Sequence, residues 1–191
     1  MCRSAITESE DRRRNLHRLS FRHTLLRSVL AATNRIWIMA YVINANLNYA
    51  GDPVTHLFSV LRQRLAARVD VRIILDDPPL NRPNFHCNHF MRSWLREWQI
   101  PHGCPRRKES AHAKMIICDD TSLFIGSHNL AKSSLLNTME ITAEIRDPLF
   151  ISDAAQIFLD IWDSTNTATY LPPFIRNDTD PVPWMYHGKS F

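Results

Sequence analysis

The feature that most constrains the fold is a pair of largely apolar, β-rich runs with a helical segment between them. The runs are RIWIMAYVI at residues 35–43 and VDVRIILDD at residues 69–77. Such uninterrupted runs indicate strands that are buried on both faces of a sheet. Asp52 followed by Pro53 is a favourable helix start, and the apolar residues behind it have helical spacing. The sequence therefore predicts strands and helices that alternate along the chain.

The rest of the chain predicts one helix before the two apolar runs, and two helices and several short strands after them. Helices are expected at 16–32, around 90–98 and at 148–164, and strands at 100–104, 111–118, 122–125 and 139–145. The helix around 90–98 has an apolar stripe, which indicates core rather than a base-stacking platform. In the last helix, the residues expected to face inward are Phe150, Ala154, Ile157, Phe158 and Ile161. This order predicts an α/β fold with a mixed β-sheet flanked by helices on both faces.

The length of 191 residues predicts one domain with irregular ends. We expect a basic N-terminal segment at 1–15, a catalytic domain at 16–165 and an irregular tail at 166–191. No apolar run suggests a signal peptide or a membrane anchor. The four Cys show no dense disulfide pattern, so the expected location is cytoplasmic.

Net charge is +4, and the Arg residues are clustered. Basic patches suit polyanions such as nucleic acid or an anionic membrane surface, although a solvated helix face explains them equally well. One cluster stands just before the stretch ESAHAKMIICDDTSLFIGSHNL at 109–130, which carries the main candidate site. The residues of that cluster, Arg106, Arg107 and Lys108, are candidate substrate-binding residues.

Within that stretch, side chains two apart on a strand point to the same face, so His112 and Lys114 are expected together. An imidazole can attack phosphorus while an ammonium offsets the charge of the phosphate oxygens. Ser127 and Asn129 supply further donors for those oxygens. A carboxylate on the next strand, Glu140, is positioned to accept a hydrogen bond from the imidazole.

The same residues form a spaced pattern, His-x-Lys, four residues, Asp, six residues, Gly-Ser-x-Asn, which resembles the HKD motif of the phospholipase D superfamily. A bare His-x-Lys is a weak signal, because the chain has a second copy at 187–189 without the other parts. The full set also resembles the single-motif, Nuc-like endonuclease branch, in which a Glu on the following strand orients the His. The matching residues are His112, Lys114, Asp119, Gly126, Ser127, Asn129 and Glu140.

The resemblance implies a phospholipase D-like fold and an active site built from two motifs. In that family one His forms a phosphohistidine, and the other protonates the leaving oxygen and then activates water. Because this chain has one motif, the resemblance implies a homodimer with a composite site across a two-fold axis. It implies no metal and no cofactor, since Lys and Asn hold the phosphate. Asp119 is included in the catalytic set, although support of the turn is its expected role.

The substrate class stays open at this point, because phosphodiesters occur in nucleic acids and in phospholipids. An endonuclease acting on DNA or RNA is favoured by the net positive charge and the Arg-rich segments, and by the lack of a predicted membrane anchor. A cardiolipin or phosphatidyl hydrolase and an inactive nucleic-acid-binding dimer are the alternatives. A place in a larger defence or repair system is compatible with both the endonuclease and the nucleic-acid-binding hypotheses.

Two weaker signals lie on either side of the motif. Lys132 and Ser133 follow Asn129 closely, and they are candidate substrate-binding residues or a surface Lys beside a helix start. The Cys/His residues between 87 and 104 form a symmetric set, but their spacing is poor for zinc, so no metal site is predicted. Cys118 is expected to be a buried apolar residue rather than a catalytic thiol.

Overall fold

A computed structural model describes residues 21–49, 51–105 and 110–164 of the chain. The N-terminal segment 1–15, residues 16–20 of the first predicted helix, the cluster at 106–108 and the tail 166–191 lie outside the described residues. The elements in chain order are α1 (21–31), β1 (Arg35–Ala40), β2 (Ile43–Asn44), α2 (Pro53–Ala66), β3 (Asp70–Leu75), α3 (Asn84–Glu97), β4 (His102–Gly103), β5 (Met115–Cys118), β6 (Ser122–Gly126), β7 (Leu130–Ala131), α4 (Lys132–Leu136), β8 (Thr142–Ile145) and α5 (Pro148–Ser164).

The main sheet has six strands in the order β4-β3-β1-β5-β6-β8, so it is mixed as predicted. β1, β3 and β4 run parallel, whereas β5 joins β1 antiparallel and is followed by antiparallel β6 and β8. β2 and β7 form a separate two-stranded parallel sheet. The central strands β1 and β3 are the two apolar runs of the sequence, and their central position explains why polar residues are rare in them.

Alternation along the strands produces two apolar layers, one on each face of the sheet. Ile36 and Ile38 belong to the layer that contains the buried faces of α1, α2 and α3. Trp37 and Met39 belong to the layer that is closed by α5. Helices therefore cover both faces, which confirms the predicted architecture. In the part of the chain that the structure describes, no helix combines the length and apolarity needed to cross a lipid bilayer.

Several predicted strands are shorter than expected: 100–104 is a strand only at His102–Gly103, and 139–145 only at Thr142–Ile145, so Glu140 precedes β8. Two further differences shape the site. The run at 35–43 ends as a strand at Ala40, and Ile43 joins the small sheet instead. The predicted strand at 111–118 begins at Met115, so His112 and Lys114 lie in an irregular segment just before it. The prediction failed there because a strand ends where its neighbours stop pairing, and Met39 is the last β1 residue that pairs with β5.

The buried face of α5 also differs from the prediction. Ala154 and Phe158 face inward as expected, but Phe150 is 62% exposed and Ile157 is 56% exposed. The buried stripe instead follows Ile151, Ala154, Ala155 and Phe158. This helix is apolar around most of its circumference, so its periodicity alone does not select the stripe that meets the sheet. The predicted helix start is confirmed, since the Asp147 carboxylate accepts hydrogen bonds from the N–H groups of Leu149 and Phe150.

Candidate active site

The candidate site lies at one end of the main sheet, where five chain segments converge. The parallel strands β1 and β3 end there, and antiparallel β5 begins there because Met115 pairs with Met39. β6 ends and β8 begins at the same edge, where Gly126 pairs with Thr142. Ligand sites commonly form beyond the carboxyl ends of parallel strands. The polar residues at this edge are Tyr41, Asp76, His112, Lys114, Ser127, His128, Asn129 and Glu140.

His112 and Lys114 are in direct contact, as the sequence predicts for side chains two residues apart. The Lys114 Nζ lies 2.7 Å from the His112 carbonyl oxygen, to which it donates. It also lies 3.3 Å from Nδ1 and 3.4 Å from Nε2 of the same imidazole. His112 is exposed and Lys114 is half-buried. A potential nucleophile and a cation thus share one open position, which suits attack on a phosphate.

Tyr41 contacts both His112 and Lys114, although the sequence did not predict it as a site residue. Its ring centroid lies 4.4 Å from that of the His112 imidazole, and the two planes are inclined by 54°. The Lys114 Nζ lies 4.9 Å from the same Tyr41 centroid, which is within cation–π range. In the sequence, Tyr41 stands inside the apolar run at 35–43, which predicts that it continues the strand. Its position just after the end of β1 is what brings it into the site.

The electrostatics of Lys114 reflect its partial burial. Loss of hydration lowers the pKa of the Lys114 ammonium, and the negative charges of Glu140 and Asp76 act in the opposite direction. The two carboxylates therefore favour the charged form, which is the form that binds a phosphate oxygen. Asp76 was not among the predicted site residues.

Glu140 occupies a different place from the one predicted. Its carboxylate accepts a hydrogen bond from Ser127 Oγ, and Ser127 Oγ in turn accepts from the N–H of Ile141 at 3.1 Å. Among the described residues, Glu140 makes no hydrogen bond with His112. The prediction that Glu140 orients the imidazole is therefore not met in this structure. Glu140 instead fixes the loop that carries Ser127, and it acts on Lys114 through its charge.

Gly126 is required where β6 meets β8. A Cβ at this position would lie 2.5 Å from Thr142 Cα, and closer still to the carbonyl oxygen of Ile141. Both are backbone atoms, so neither can move aside without disturbing the strand pair. Beyond Gly126, the N–H of Ser127 donates to the Ile141 carbonyl at 2.9 Å. This close approach holds the Gly-Ser-x-Asn loop against β8.

Two further residues of this loop differ in their partners. His128 stacks on Phe21 of α1 at a centroid distance of 4.3 Å, and its Nδ1 lies 2.7 Å from Thr142 Oγ1. Burial lowers the pKa of His128, and the charge of Glu140 partly opposes that shift. Asn129 Oδ1 is buried without a hydrogen-bond partner among the described residues, a condition that is uncommon in proteins and calls for an explanation. Its part in phosphate binding stays a prediction.

Asp119 is not brought together with the other motif residues. It follows β5 at the far end of the strand from Lys114, in a turn where its φ is 52°. Its carboxylate accepts hydrogen bonds from the backbone N–H groups of Thr33, Asn34 and Arg35 at 2.8–2.9 Å. Burial would raise the pKa of Asp119, but these hydrogen bonds outweigh it and lower the pKa overall. Asp119 therefore joins the turn to the start of β1, which is its expected role, and any direct part in catalysis stays a prediction.

The predicted substrate-binding residues are only partly described. Lys132 and Ser133 begin α4, and the Lys132 Nζ lies 5.3 Å from the ring centroid of Tyr49. Their contact with substrate stays a prediction. Arg106, Arg107 and Lys108 fall outside the described residues.

Among the described residues, Cys87, Cys104 and Cys118 are free cysteines, and Cys104 and Cys118 are buried. Cys118 is buried, and its burial raises the pKa of the thiol to about 12, as expected for a core residue. His102 Nδ1 lies 2.9 Å from the carbonyl oxygen of Ile100. Over residues 21–49, 51–105 and 110–164, no three His, Cys, Asp or Glu side chains are grouped so as to hold a metal ion.

Comparisons with known proteins address the family and the fold. Residues 25–162 match the family described as "Cardiolipin synthase, PLD-like domain". The fold is similar to that of a phospholipase D family member, Nuc, from Salmonella typhimurium, with a TM-score of 0.62 and 21% identity over 75% of this chain and 88% of that one. No curated protein matches the sequence.

Two other solved structures share the fold at lower identity. NucT from Helicobacter pylori has a TM-score of 0.59 and 16% identity, over 78% of this chain and 92% of that chain. The phosphatidylserine synthase of Haemophilus influenzae Rd KW20 has a TM-score of 0.57 and 16% identity, over 73% of this chain and 35% of that chain. With the family match spanning most of its length and the fold shared with these proteins, the chain belongs to the phospholipase D superfamily.

Proposed function

We propose that the protein is a metal-independent phosphodiesterase, an endonuclease that cleaves DNA or RNA at a composite site formed by two copies of the chain. The observation that carries this proposal is the contact between His112 and Lys114 at the open end of the sheet. A phosphate placed above that pair meets a ring nitrogen that can attack it and a cation that can neutralise its oxygens. Asn129 on the adjacent loop is a further donor, while the hydroxyl proton of Ser127 goes to Glu140 in this structure.

The proposed reaction has two steps that balance without a metal ion. In the first, an unprotonated ring nitrogen of His112 attacks phosphorus and the bond to the leaving ester oxygen breaks. The protonated imidazole of the second copy gives its proton to that oxygen. In the second, this imidazole takes a proton from water, the water oxygen attacks phosphorus, and the bond between phosphorus and the His112 nitrogen breaks. The products are a phosphomonoester and a free hydroxyl, and both imidazoles return to their starting states.

A second copy of the chain is needed because one motif supplies only one imidazole. An apolar surface suited to such a copy lies beside the site. Met139 is 83% exposed and Ile141 is 80% exposed, and both flank Glu140, while Ile125 on β6 is 44% exposed. Large apolar side chains clustered at a surface are typical of protein or membrane contacts. A two-fold axis beside this surface would bring two His112 side chains toward each other.

The nucleic-acid substrate is supported by charge. The chain carries 23 Lys and Arg against 19 Asp and Glu. A basic protein attracts the phosphate backbone, and this attraction falls as salt is raised. The proposed setting is the cytoplasm, within a larger defence or repair system.

A lipid phosphodiesterase is the second candidate, and the same exposed residues favour it. Met139 and Ile141 beside the catalytic pair would contact acyl chains as readily as a second copy. The two candidates differ in the phosphodiester that is cleaved and in the effect of salt, because burial of acyl chains is only weakly screened.

The test is incubation with labelled single-stranded DNA, duplex DNA, RNA and cardiolipin vesicles, each in EDTA. We expect cleavage of a nucleic acid that persists in EDTA and weakens as salt is raised. His112→Ala should lower kcat by at least about 1000-fold, as expected when a nucleophile is removed. Cleavage of cardiolipin alone would favour the lipid candidate, and loss of all cleavage in EDTA would contradict the mechanism.

The dimer is tested separately by mass measurement in solution. Met139→Asp with Ile141→Asp should produce a monomer that is folded and inactive, because burial of a carboxylate in an apolar interface is costly. Leu149→Asp is the matched control, since Leu149 is 77% exposed but lies beyond the far end of β8. A double variant that stays dimeric and active would exclude this surface as the interface.

A further inference from the structure

Asp76 is a buried carboxylate whose backbone is held from three directions. It follows the last residue of β3 and is 3% exposed. Its N–H donates to the Ala40 carbonyl at 3.1 Å. Its carbonyl accepts from Asn88 Nδ2 at 3.0 Å and from an Arg92 guanidinium nitrogen at 2.6 Å. Because Asn88 and Arg92 are themselves buried on α3, Asp76 is fixed against the helical layer.

The Asp76 side chain reaches the segment that presents His112. Its Oδ1 accepts from the N–H of Ala111 at 2.8 Å and from Ser110 Oγ at 3.1 Å. Ser110 and Ala111 directly precede His112 and lie outside the strand, which begins at Met115. The ladder of the sheet therefore does not determine where this segment lies. The carboxylate of Asp76 supplies the missing anchor, at a distance of 34 and 35 residues in sequence.

The neighbouring Asp77 carboxylate pairs with Arg92, whereas the Asp76 carboxylate accepts from the segment before His112. Asp77 accepts from the Arg92 guanidinium at 2.6 Å and is 42% exposed. Arg92 is 1% exposed, and the Asp77 carboxylate is its counter-charge. Its hydrogen bond to Asp76 goes to the backbone carbonyl and not to the carboxylate. The Asp76 carboxylate is left to the segment before His112 and to the nearby Lys114, on which its charge acts.

We propose that Asp76 is a positioning residue for catalysis, whose carboxylate fixes the segment that presents His112 and whose charge supports the Lys114 ammonium. The proposal rests on the proposed function of His112 and Lys114, and it adds a residue that does not touch the substrate. Burial of a carboxylate is costly unless hydrogen bonds compensate it. The hydrogen bonds from Ser110 and Ala111 provide that compensation, and they also fix the position of the segment that carries His112.

Three variants separate geometry from charge. Asp76→Ala removes both, and we expect kcat to fall about 10- to 100-fold with little change in KM, since a small misplacement of a reacting group has that effect. Asp76→Asn keeps an oxygen that accepts from Ser110 and Ala111, so its kcat should fall by less. Without the charge, the pKa of Lys114 falls further, and the alkaline limb of the pH–rate profile should move to lower pH. Ser110→Ala removes one donor and should leave that limb in place.

Asp52→Ala is the matched control, because Asp52 is similarly buried and its Oδ1 likewise accepts two hydrogen bonds, from the N–H groups of Val54 and Thr55. It should lower the melting temperature without changing kcat or the pH profile. The proposal is overturned if Asp76→Ala retains wild-type kcat and pH profile, or if Asp52→Ala at the same temperature margin below melting loses as much kcat.

A readout that needs no turnover keeps this inference separate from the proposed function. The ring resonances of His112 in NMR spectra should shift and broaden in Asp76→Ala and stay unchanged in Asp52→Ala. If wild-type protein cleaves no phosphodiester but these resonances respond, the proposed function fails and the positioning role stands. If cleavage is found but the resonances and kcat are insensitive to Asp76→Ala, the positioning role fails alone.

Discussion

The ring of Tyr41 lies against the imidazole of His112, with centroids 4.4 Å apart, and the Lys114 ammonium lies over the same ring. One aromatic side chain therefore contacts both residues that are proposed to act on the phosphate. Its backbone is anchored independently, because the Tyr41 carbonyl accepts from Asn88 Nδ2 at 2.8 Å. A change in the side chain is thus expected to affect the pair without releasing the backbone.

Replacement of Tyr41 should therefore depend on whether an aromatic ring is kept. We expect Tyr41→Phe to retain nearly all activity. Tyr41→Leu should lower kcat by about 2- to 30-fold, which is the value of a cation–π contact of roughly 0.5–2 kcal/mol. Single-turnover cleavage at saturating substrate measures the effect. Equal rates for the Phe and Leu variants would show that the ring has no such role.

The charge of Glu140 should set where activity is lost at alkaline pH. Glu140→Gln removes a charge that opposes the lowering of the pKa of Lys114, while the amide oxygen still accepts from Ser127 Oγ. The pKa of Lys114 then falls, so its proton is lost earlier and the alkaline limb of kcat/KM should move to lower pH.

Glu144→Gln is the control for this change. Glu144 lies on β8, which Glu140 precedes, and it also accepts from a Ser hydroxyl, that of Ser122 at 3.1 Å, but near the other end of the sheet. We expect its pH profile to match that of the wild type. An unchanged alkaline limb in Glu140→Gln would contradict the assigned electrostatic role.

The two glycines at 51 and 126 should respond differently to Ala. At Gly126 the added Cβ meets backbone atoms of Ile141 and Thr142, so Gly126→Ala should lower the free energy of unfolding by about 1–3 kcal/mol, as overpacking does. At Gly51 the added Cβ meets the exposed side chain of Tyr49, which can rotate away. Urea denaturation of both variants measures the difference. A stability loss at Gly51→Ala as large as that at Gly126→Ala would contradict this account.

Asp119 should affect stability and its acid dependence, and not catalysis. Asp119→Ala removes hydrogen bonds to the N–H groups of Thr33, Asn34 and Arg35, and should lower the free energy of unfolding by about 1–3 kcal/mol. Because the pKa of Asp119 is lower in the folded state, its contribution is complete above the unfolded pKa and is lost as pH falls through the folded pKa.

Comparison of Asp119→Asn with the wild type isolates that titration. The difference in unfolding free energy between the two should shrink as pH falls below about 4, the ordinary range of an Asp side chain. kcat at neutral pH and at a temperature where both are folded should be equal. A large loss of kcat in folded Asp119→Asn would return this residue to the active site.

The sequence predicted the parts of the fold that depend on local pattern. The apolar runs around Ile38 and Ile73 are central strands, and the caps at Asp52 and Asp147 start helices as expected. His112 and Lys114 were correctly predicted to lie together, although both precede β5. Side chains two apart keep a common direction in any extended segment, so the prediction survived the wrong strand boundary.

The parts that depend on tertiary contact were missed or misplaced. Asp76 ends an apolar run, and nothing local shows that it anchors residues 34 positions later. The apolar run predicts that Tyr41 continues a strand, whereas β1 stops one residue earlier, at Ala40. Glu140 was matched to His112 by its expected place on the following strand, whereas the structure joins it to Ser127. In each case the partner is determined by which strands lie side by side, and that information is spread over the whole chain.

The last strand that contributes to this end of the sheet is β8, which lies at the outer edge of the sheet. Tyr41 and Asp76 are synthesised early, but Glu140 and Thr142, which clamp the Gly-Ser-x-Asn loop, emerge from the ribosome some 100 residues after Tyr41. The loop can be fixed only after both β6 and β8 have been synthesised, because Gly126 pairs with Thr142. A nascent chain would therefore carry His112 before the Gly-Ser-x-Asn loop is fixed, and this end of the sheet would be complete only once β8 has paired with β6.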